Sequence, residues 1–329
     1  MLPSFYAATT GLCAKNDNID NSHNFNIEIY EANTFCKNKH LCFKKNYPSL
    51  FTILEPRSGI LWARMKHRDR GCYTPDLVRD SRSYQIYLKK RCAHLSSAEI
   101  PFRCLVWTSE ADGVFSLGGD LAFFTRCVRE RNVPSLVEYA HRCIDVLHEN
   151  YNAMGLPILT CALVTGDAIG GGLESMITND IVIAERGTKF GLPEIHFNLF
   201  PGMGGYSYLV RRIGEKEARA FIEGGRSRNA EEMFELGLVD VLAEPGRGEQ
   251  VLRNYLSQDR SVATLRATRR ACKRVNPVAK EELINIVDIW VDLAMQLGGD
   301  DLLRMDRLAR IQEKKRTRFG FQTLQLAWA

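Results

Sequence analysis

The sequence predicts a mixed α/β core followed by a helical tail, and three observations predict it. Between Leu50 and Ala184, short apolar runs of strand type alternate with longer stretches of helical spacing. Past Gly202 the pattern is almost wholly helical, with LVDVLA at 238–243 the last strand-like run. The composition is that of a folded chain: across 329 residues, 45% hydrophobic and 25% charged leave enough apolar surface for a sizeable core.

Residues 1 to about 46 are rich in Asn and Lys, lack sustained periodicity and read as an extension of uncertain order. SLFTILE and GILWARMK are then two strand-like runs separated by Pro56-Arg57-Ser58-Gly59, a turn-forming cluster that predicts a hairpin. A helix is expected from Thr74 to His94, with Thr74 as its cap, Pro75 in its first turn, and Leu77, Tyr84, Tyr87 and Leu88 at helical spacing. FRCLVWTS at 102–109 reads as a buried strand. Helices at about 119–131 and 134–153, a strand from Ile158 to Thr165, a helix opening near Gly171 and a strand at 181–184 continue the alternation. Amphipathic stretches at about 247–257, 278–297 and 301–315 close it. The organisation expected is an extension over 1–46, an α/β core over 47–245 and a helical region over 246–329.

Composition excludes several classes. A net charge of +5 is too small to announce a nucleic-acid protein. Its basic residues gather late, at Arg266, Arg269, Arg270, Lys273 and Arg274, then at Arg304, Arg307, Arg310, Lys314, Lys315, Arg316 and Arg318. They make either a solvated face or a docking surface for an acidic partner. Ten cysteines are scattered without a CxxC pair, and Cys104 and Cys161 fall inside apolar runs, where a thiol acts as a small hydrophobe. That usage suits a reducing cytoplasm. His23, Cys36, His40 and Cys42 match no usual metal spacing, so neither metal nor cofactor is expected. The opening MLPSFYAATTGLCA has no Lys or Arg ahead of its broken apolar run and does not read as a signal peptide. The longest uncharged stretch, Asn150 to Gly166, is punctuated by Asn152, Thr160, Thr165 and two glycines, so no membrane span is expected.

Two glycine-rich segments stand where chemistry is plausible. Val114-Phe115-Ser116-Leu117-Gly118-Gly119-Asp120 follows a strand and precedes an apolar helix, and Gly166-Asp167-Ala168-Ile169-Gly170-Gly171-Gly172-Leu173-Glu174 repeats the arrangement. Neither is a phosphate loop or a dinucleotide fingerprint, and each alone is equally well a structural turn. Together, two glycine-led helix starts supply two N–H donors for one developing oxyanion. Glu174 in the second segment, and Glu194 in Gly191-Leu192-Pro193-Glu194-Ile195, provide two carboxylates to divide acid and base duties; the bland reading of either is a surface ion pair. Asp120 and Asp167 suit caps or turns, and nothing near His196 completes a Ser/His/Asp pattern.

VFSLGGDL, GDAIGGGLE and FGLPEIHFNLFPGMGGYSYLVRRIG, in that order, resemble the crotonase superfamily of acyl-thioester enzymes. The resemblance implies a crotonase-like spiral core of repeated ββα units, oxyanion-hole N–H groups at Gly119 and Gly171, and catalytic carboxylates at Glu174 and Glu194. LGGDLAFF, FPGMGGYSYL, IWVDLAMQLG and RMDRLARIQ are similar to the bacterial diffusible-signal-factor synthases, from about Leu50 to about Gln312. Two positions depart from that branch, Asn198 standing where an acid is expected and Ser116 where Asn is expected. The likeness implies dehydration of a 3-hydroxyacyl-acyl carrier protein and thioester hydrolysis to a free cis-2-unsaturated quorum-sensing acid. It further implies Met203, Trp290 and Leu308 as acyl-chain lining, a homo-oligomer, and a sensor kinase as a further partner. A generic enoyl-CoA hydratase/isomerase, sharing the fold and both glutamates, is the alternative, and a lipid-binding regulator on the same fold is another.

Overall fold

Strands β1 (Leu50–Glu55) and β2 (Ile60–Met65) pair antiparallel across the Pro56–Gly59 turn in the computed structural model, which describes residues 43–257 and 259–315. Gly59 takes a φ of +65° to close that turn, with its N–H donating to the Pro56 carbonyl at 3.3 Å. Helix α1 (Pro75–Cys92) follows, capped by Thr74 Oγ1, which accepts the Leu77 N–H at 3.2 Å. It buries Leu77, Tyr84 and Leu88, as its spacing predicts, together with Val78, while Tyr87 is half-buried.

The next strands separate into two sheets. β3 (Cys104–Ser109), β5 (Leu159–Val164), β7 (Ile181–Glu185) and β10 (Val241–Ala243) extend the hairpin into a six-stranded sheet ordered β1-β2-β3-β5-β7-β10. β4 (Val114–Ser116), β6 (Asp167–Ile169), β8 (Lys189–Gly191) and β9 (Arg228–Asn229) form a four-stranded sheet in the order β4-β6-β8-β9. Each consecutive pair, β3 with β4, β5 with β6 and β7 with β8, therefore places its first strand in the large sheet and its second in the small one. This is the repeated ββα winding expected from the sequence. β5 and β7 are buried at every position, as strands of a parallel sheet covered on both faces must be. Cys104 and Cys161 lie buried within β3 and β5, and burial pushes both thiols up.

Helix α2 (Leu121–Arg129) begins two residues later than the glycine pair suggests, because Asp120 caps it, Oδ1 accepting the Phe123 N–H at 3.0 Å. Helices α3 (Val133–Tyr151) and α4 (Gly171–Ile177) complete the early windings. After β8 come α5 (Gly205–Ile213), α6 (Glu215–Gly224), α7 (Ala230–Glu235), α8 (Gly248–Leu256), α9 (Asp259–Val275), α10 (Lys280–Ala294) and α11 (Gly299–Lys314). Apolar spacing does not mark α9, whose Val262 and Leu265 are set among arginines.

The late basic residues are partly consumed inside the molecule. Arg269 pairs with Asp240 at 2.7 Å, Lys273 with Asp180 at 2.5 Å, and Arg304 donates to the His196 carbonyl at 2.9 Å. Arg266, Arg270, Lys273 and Arg274, with Asp180, line a surface hollow of about 310 Å³ beside Asn152 and Pro277. The extension with His23, Cys36, His40 and Cys42, and the tail with Arg316 and Arg318, lie outside the described residues. Among the described residues, no helix is long and apolar enough to cross a membrane.

Candidate active site

The chain leaves β4 as Leu117-Gly118-Gly119 and runs against the start of α4. Gly118 has a φ of +92°, and a Cβ there would stand 3.1 Å from both the Gly171 nitrogen and the Ile169 carbonyl oxygen, so the close approach of the two loops demands glycine. The Gly118 carbonyl accepts the Tyr73 N–H at 2.8 Å. In a trans peptide C=O and N–H point opposite ways, so the Gly119 N–H is turned away from Tyr73, toward the Gly171 side. A Cβ built on Gly171 would lie 3.4 Å from the Gly119 nitrogen. Gly171 opens α4, and its N–H is one of the donors a helix start leaves free. Among the described residues neither N–H has an acceptor. Two donors thus converge on one space, with a correction to their origin. The Gly119 donor belongs to a loop rather than to a helix start, because the end of α2 is taken by Asp120.

Glu174, on the first turn of α4, is only 1% exposed. Its Oε1 accepts the N–H groups of Met203 and Gly205, both at 2.7 Å. The turn Pro201-Gly202-Met203-Gly204-Gly205 wraps that oxygen, helped by a φ of +97° at Gly204, and a Cβ on Gly205 would come within 2.9 Å of it. Burial dominates and pushes the Glu174 carboxyl up to about 7, while the two backbone donors pull it back.

Glu194 sits in the 3-10 turn Pro193–Phe197, its carboxylate against Gly170, where a Cβ would meet Glu194 Oε1 at 2.6 Å. The residue as a whole is half-buried, yet Oε2 is sealed from solvent and has no hydrogen-bond partner among the described residues. Burial first, and the neighbouring Glu174 charge second, push Glu194 up to about 8.

Both carboxylates and both donors face one cavity of about 220 Å³. Met203, Trp290 and Leu308 line it too, so the structure brings together all seven residues singled out in the sequence. The Met203 Sδ packs against Gly171, and the Trp290 ring covers Gly202 and meets Phe124 edge to face, centroids 5.1 Å apart. Among the further lining residues, Phe124, Tyr139, Ile311 and Gln312 were not singled out. The signal for the last two was present in RMDRLARIQ, where positions 308, 311 and 312 fall on one helical face. His196 does not line the cavity; its Nε2 is 3.0 Å from the Gly225 carbonyl. Asp167 accepts the Lys189 N–H at 3.1 Å, as a turn former would. Ser116 is buried, its Oγ accepting the Gly118 N–H at 3.4 Å, and Asn198 donates to Asp301 at 2.8 Å, a contact an acid at that position would turn into repulsion. Chemically, the arrangement offers two donors for a negative oxygen and two carboxyls of unequal proton affinity beside it.

A family profile described as Enoyl-CoA hydratase/isomerase matches residues 95–319. The chain is 32% identical over 207 residues to the enoyl-CoA isomerase/hydratase fer4 of Mycosarcoma maydis, covering 62% of this chain and 72% of that one. It is 33% identical over 141 residues to the fatty acid oxidation complex subunit alpha of Idiomarina loihiensis, a match spanning 43% of this chain and 19% of that longer protein. In fold it superposes on the enoyl-CoA hydratase of Bacillus halodurans with a TM-score of 0.65 at 21% identity, over 79% of this chain and 99% of the other.

Proposed function

The chain belongs to the enoyl-CoA hydratase/isomerase family, and from that premise we propose that its cavity binds an acyl thioester and that Glu174 and Glu194 add or remove water across the C2–C3 bond. The observation that carries this reading is the inequality of the two carboxyls on one cavity wall. Glu174, held by two N–H donors, stays ionised more readily, and Glu194, with an orphan oxygen and a like charge beside it, keeps the proton the pair shares. In hydration the Glu174 carboxylate takes a proton from water as its oxygen attacks C3. Glu194 gives its proton to C2, and the enolate oxygen formed between these steps lies between the N–H groups of Gly119 and Gly171. Each donor is worth roughly 3 kcal/mol to such an intermediate. Dehydration runs the same transfers backwards.

A second reading adds release of the acid: dehydration of a 3-hydroxyacyl chain on acyl carrier protein, then hydrolysis of the thioester to a free cis-2-enoic acid. It is favoured by the RMDRLARIQ segment, which contributes Leu308, Ile311 and Gln312 to the cavity. The basic hollow on α9 offers an acidic carrier a docking place whose attraction falls as salt rises. The test is to incubate the protein with a 3-hydroxydodecanoyl chain on CoA and on acyl carrier protein, with Glu174→Ala as control, and follow products by mass spectrometry. Interconversion of hydroxyacyl and enoyl thioesters, lost in the control, supports the hydratase reading. Free cis-2-enoic acid from the carrier protein supports the second, and unchanged substrates contradict both.

A further inference from the structure

Helix α11 does more than roof the cavity. Gln312, 2% exposed, donates from Nε2 to the Leu117 carbonyl at 2.9 Å and the Gly119 carbonyl at 2.8 Å, and its Oε1 accepts the Leu121 N–H at 3.2 Å. Its own carbonyl accepts the Gly71 N–H at 2.9 Å. A buried primary amide is costly unless its donors and acceptor are matched, and a leucine would close a roof as well. Only an amide can donate to two carbonyls and accept from an N–H at once; a carboxylate would set negative oxygen against both carbonyls. With Gly118 O tied to Tyr73, Gln312 fixes the peptides on either side of the Gly119 N–H.

The other end of α11 reaches the turn that carries Glu194. Asp301 accepts from Asn198 at 2.8 Å and Arg304 donates to the His196 carbonyl at 2.9 Å, while the Arg129–Asp306 pair clamps the middle at 2.6 Å. Between these anchors Leu308 and Ile311 face the cavity, Leu308 one turn before Gln312 on the same helical face.

We propose that Gln312 is a positioning residue for the Gly119 donor, and that α11 passes acyl-chain contact at Leu308 and Ile311 to it. A long chain then raises turnover and does not merely tighten binding. The proposal rests on the reading of Gly119 as an oxyanion donor. Binding energy from an unreacting chain is here spent on donor geometry, so a truncated substrate loses kcat.

The experiment measures kcat and KM on crotonyl-CoA and trans-2-dodecenoyl-CoA for wild type, Gln312→Glu, Ile311→Ala and Glu174→Ala. Alongside, hydrogen exchange of the 117–121 amides is followed with saturated dodecanoyl-CoA and butyryl-CoA. Wild type should show higher kcat on the long substrate and extra amide protection with dodecanoyl-CoA alone. Gln312→Glu should lose roughly 10- to 100-fold in kcat on the long substrate, with KM within about threefold, and lose the extra protection. Ile311→Ala, at a half-exposed position, keeps the amide in place and should lower the chain-length advantage even if Gln312→Glu does not fold. A Gln312→Glu enzyme with wild-type kcat, or a wild-type advantage confined to KM, overturns the proposal. Absence of turnover in wild type defeats the hydratase reading instead, and the exchange arm then supports or overturns the Gln312 link by itself.

Discussion

Glu174, on the first turn of α4, and Glu194, in a 3-10 turn, face the same cavity in surroundings built in different ways. Around Glu174 a glycine-rich turn brings two backbone N–H groups to one carboxylate oxygen, each at 2.7 Å, whereas around Glu194 the 3-10 turn leaves an oxygen sealed and unpartnered. Both are pushed up by burial; two N–H donors from a separate turn pull the first back, whereas the second has only its own backbone N–H to lower it and is raised further by its neighbour's charge. Under the proposed hydration, this difference assigns one residue type to base and to acid in one site, because the backbone around each carboxyl sets which one the proton leaves.

The largest effects should come from removing either side of the comparison. Glu174→Ala and Glu194→Ala are each expected to lower turnover by roughly 100-fold or more in folded protein, measured as hydration of an enoyl thioester. Wild-type activity in either variant would remove that residue from the chemistry. Gly205→Ala perturbs one side only, because its Cβ would crowd Glu174 Oε1 at 2.9 Å. A drop of about tenfold in kcat is expected, on the scale of misplaced catalytic groups. An unchanged rate would show that the two-donor cradle is dispensable.

The pH profile sharpens the contrast. The proposed hydration needs Glu174 ionised and Glu194 protonated, so kcat/KM should rise with pH through about 7 and fall again through about 8. Stability carries the opposite mark of the same shifts. A carboxyl whose folded pKa is raised binds protons the unfolded chain has already released, so its contribution is full below the unfolded value of 4.5 and is lost as pH rises through about 7 to 8. Glu194→Gln should therefore melt above wild type at alkaline pH, with the gap closing in acid. A constant gap across pH would contradict a raised Glu194.

Trp290→Ala tests the apolar end of the cavity. It should cost about 3–5 kcal/mol of stability and move the preferred acyl chain to greater length, read from kcat/KM across a chain-length series. Lost stability with unchanged preference would make Trp290 core alone. The smallest effect belongs to His196→Ala, which should leave kcat unchanged and stability within about 0.5 kcal/mol, since its ring sits outside the cavity on the Gly225 carbonyl.

Much of this was legible along the chain because the responsible forces act locally. The Pro56–Gly59 turn, the Thr74 cap, the all-apolar β5 and β7, and the glycines and glutamates placed just after strands all announce themselves within a few residues. What stayed hidden depends on partners distant in sequence. Gln312 bonds groups 191 to 195 residues away, and its partners are backbone atoms that every residue carries, so no side-chain pattern points to them. Met203 reads as an apolar lining residue, while its N–H grips Glu174 from 29 residues away. The basic residues of α9 read as a surface, and Arg269 and Lys273 are instead tied to Asp240 and Asp180.

The most direct test of the shared-proton account is hydration of a trans-2-enoyl-CoA in deuterium oxide by wild type, Glu174→Gln and Glu194→Gln, followed by mass spectrometry of the intact thioester. Wild type should give one deuterium at C2 of the 3-hydroxyacyl product, and either variant almost no product. Wild-type hydration by Glu194→Gln, or a product without deuterium at C2, would contradict the shared-proton account.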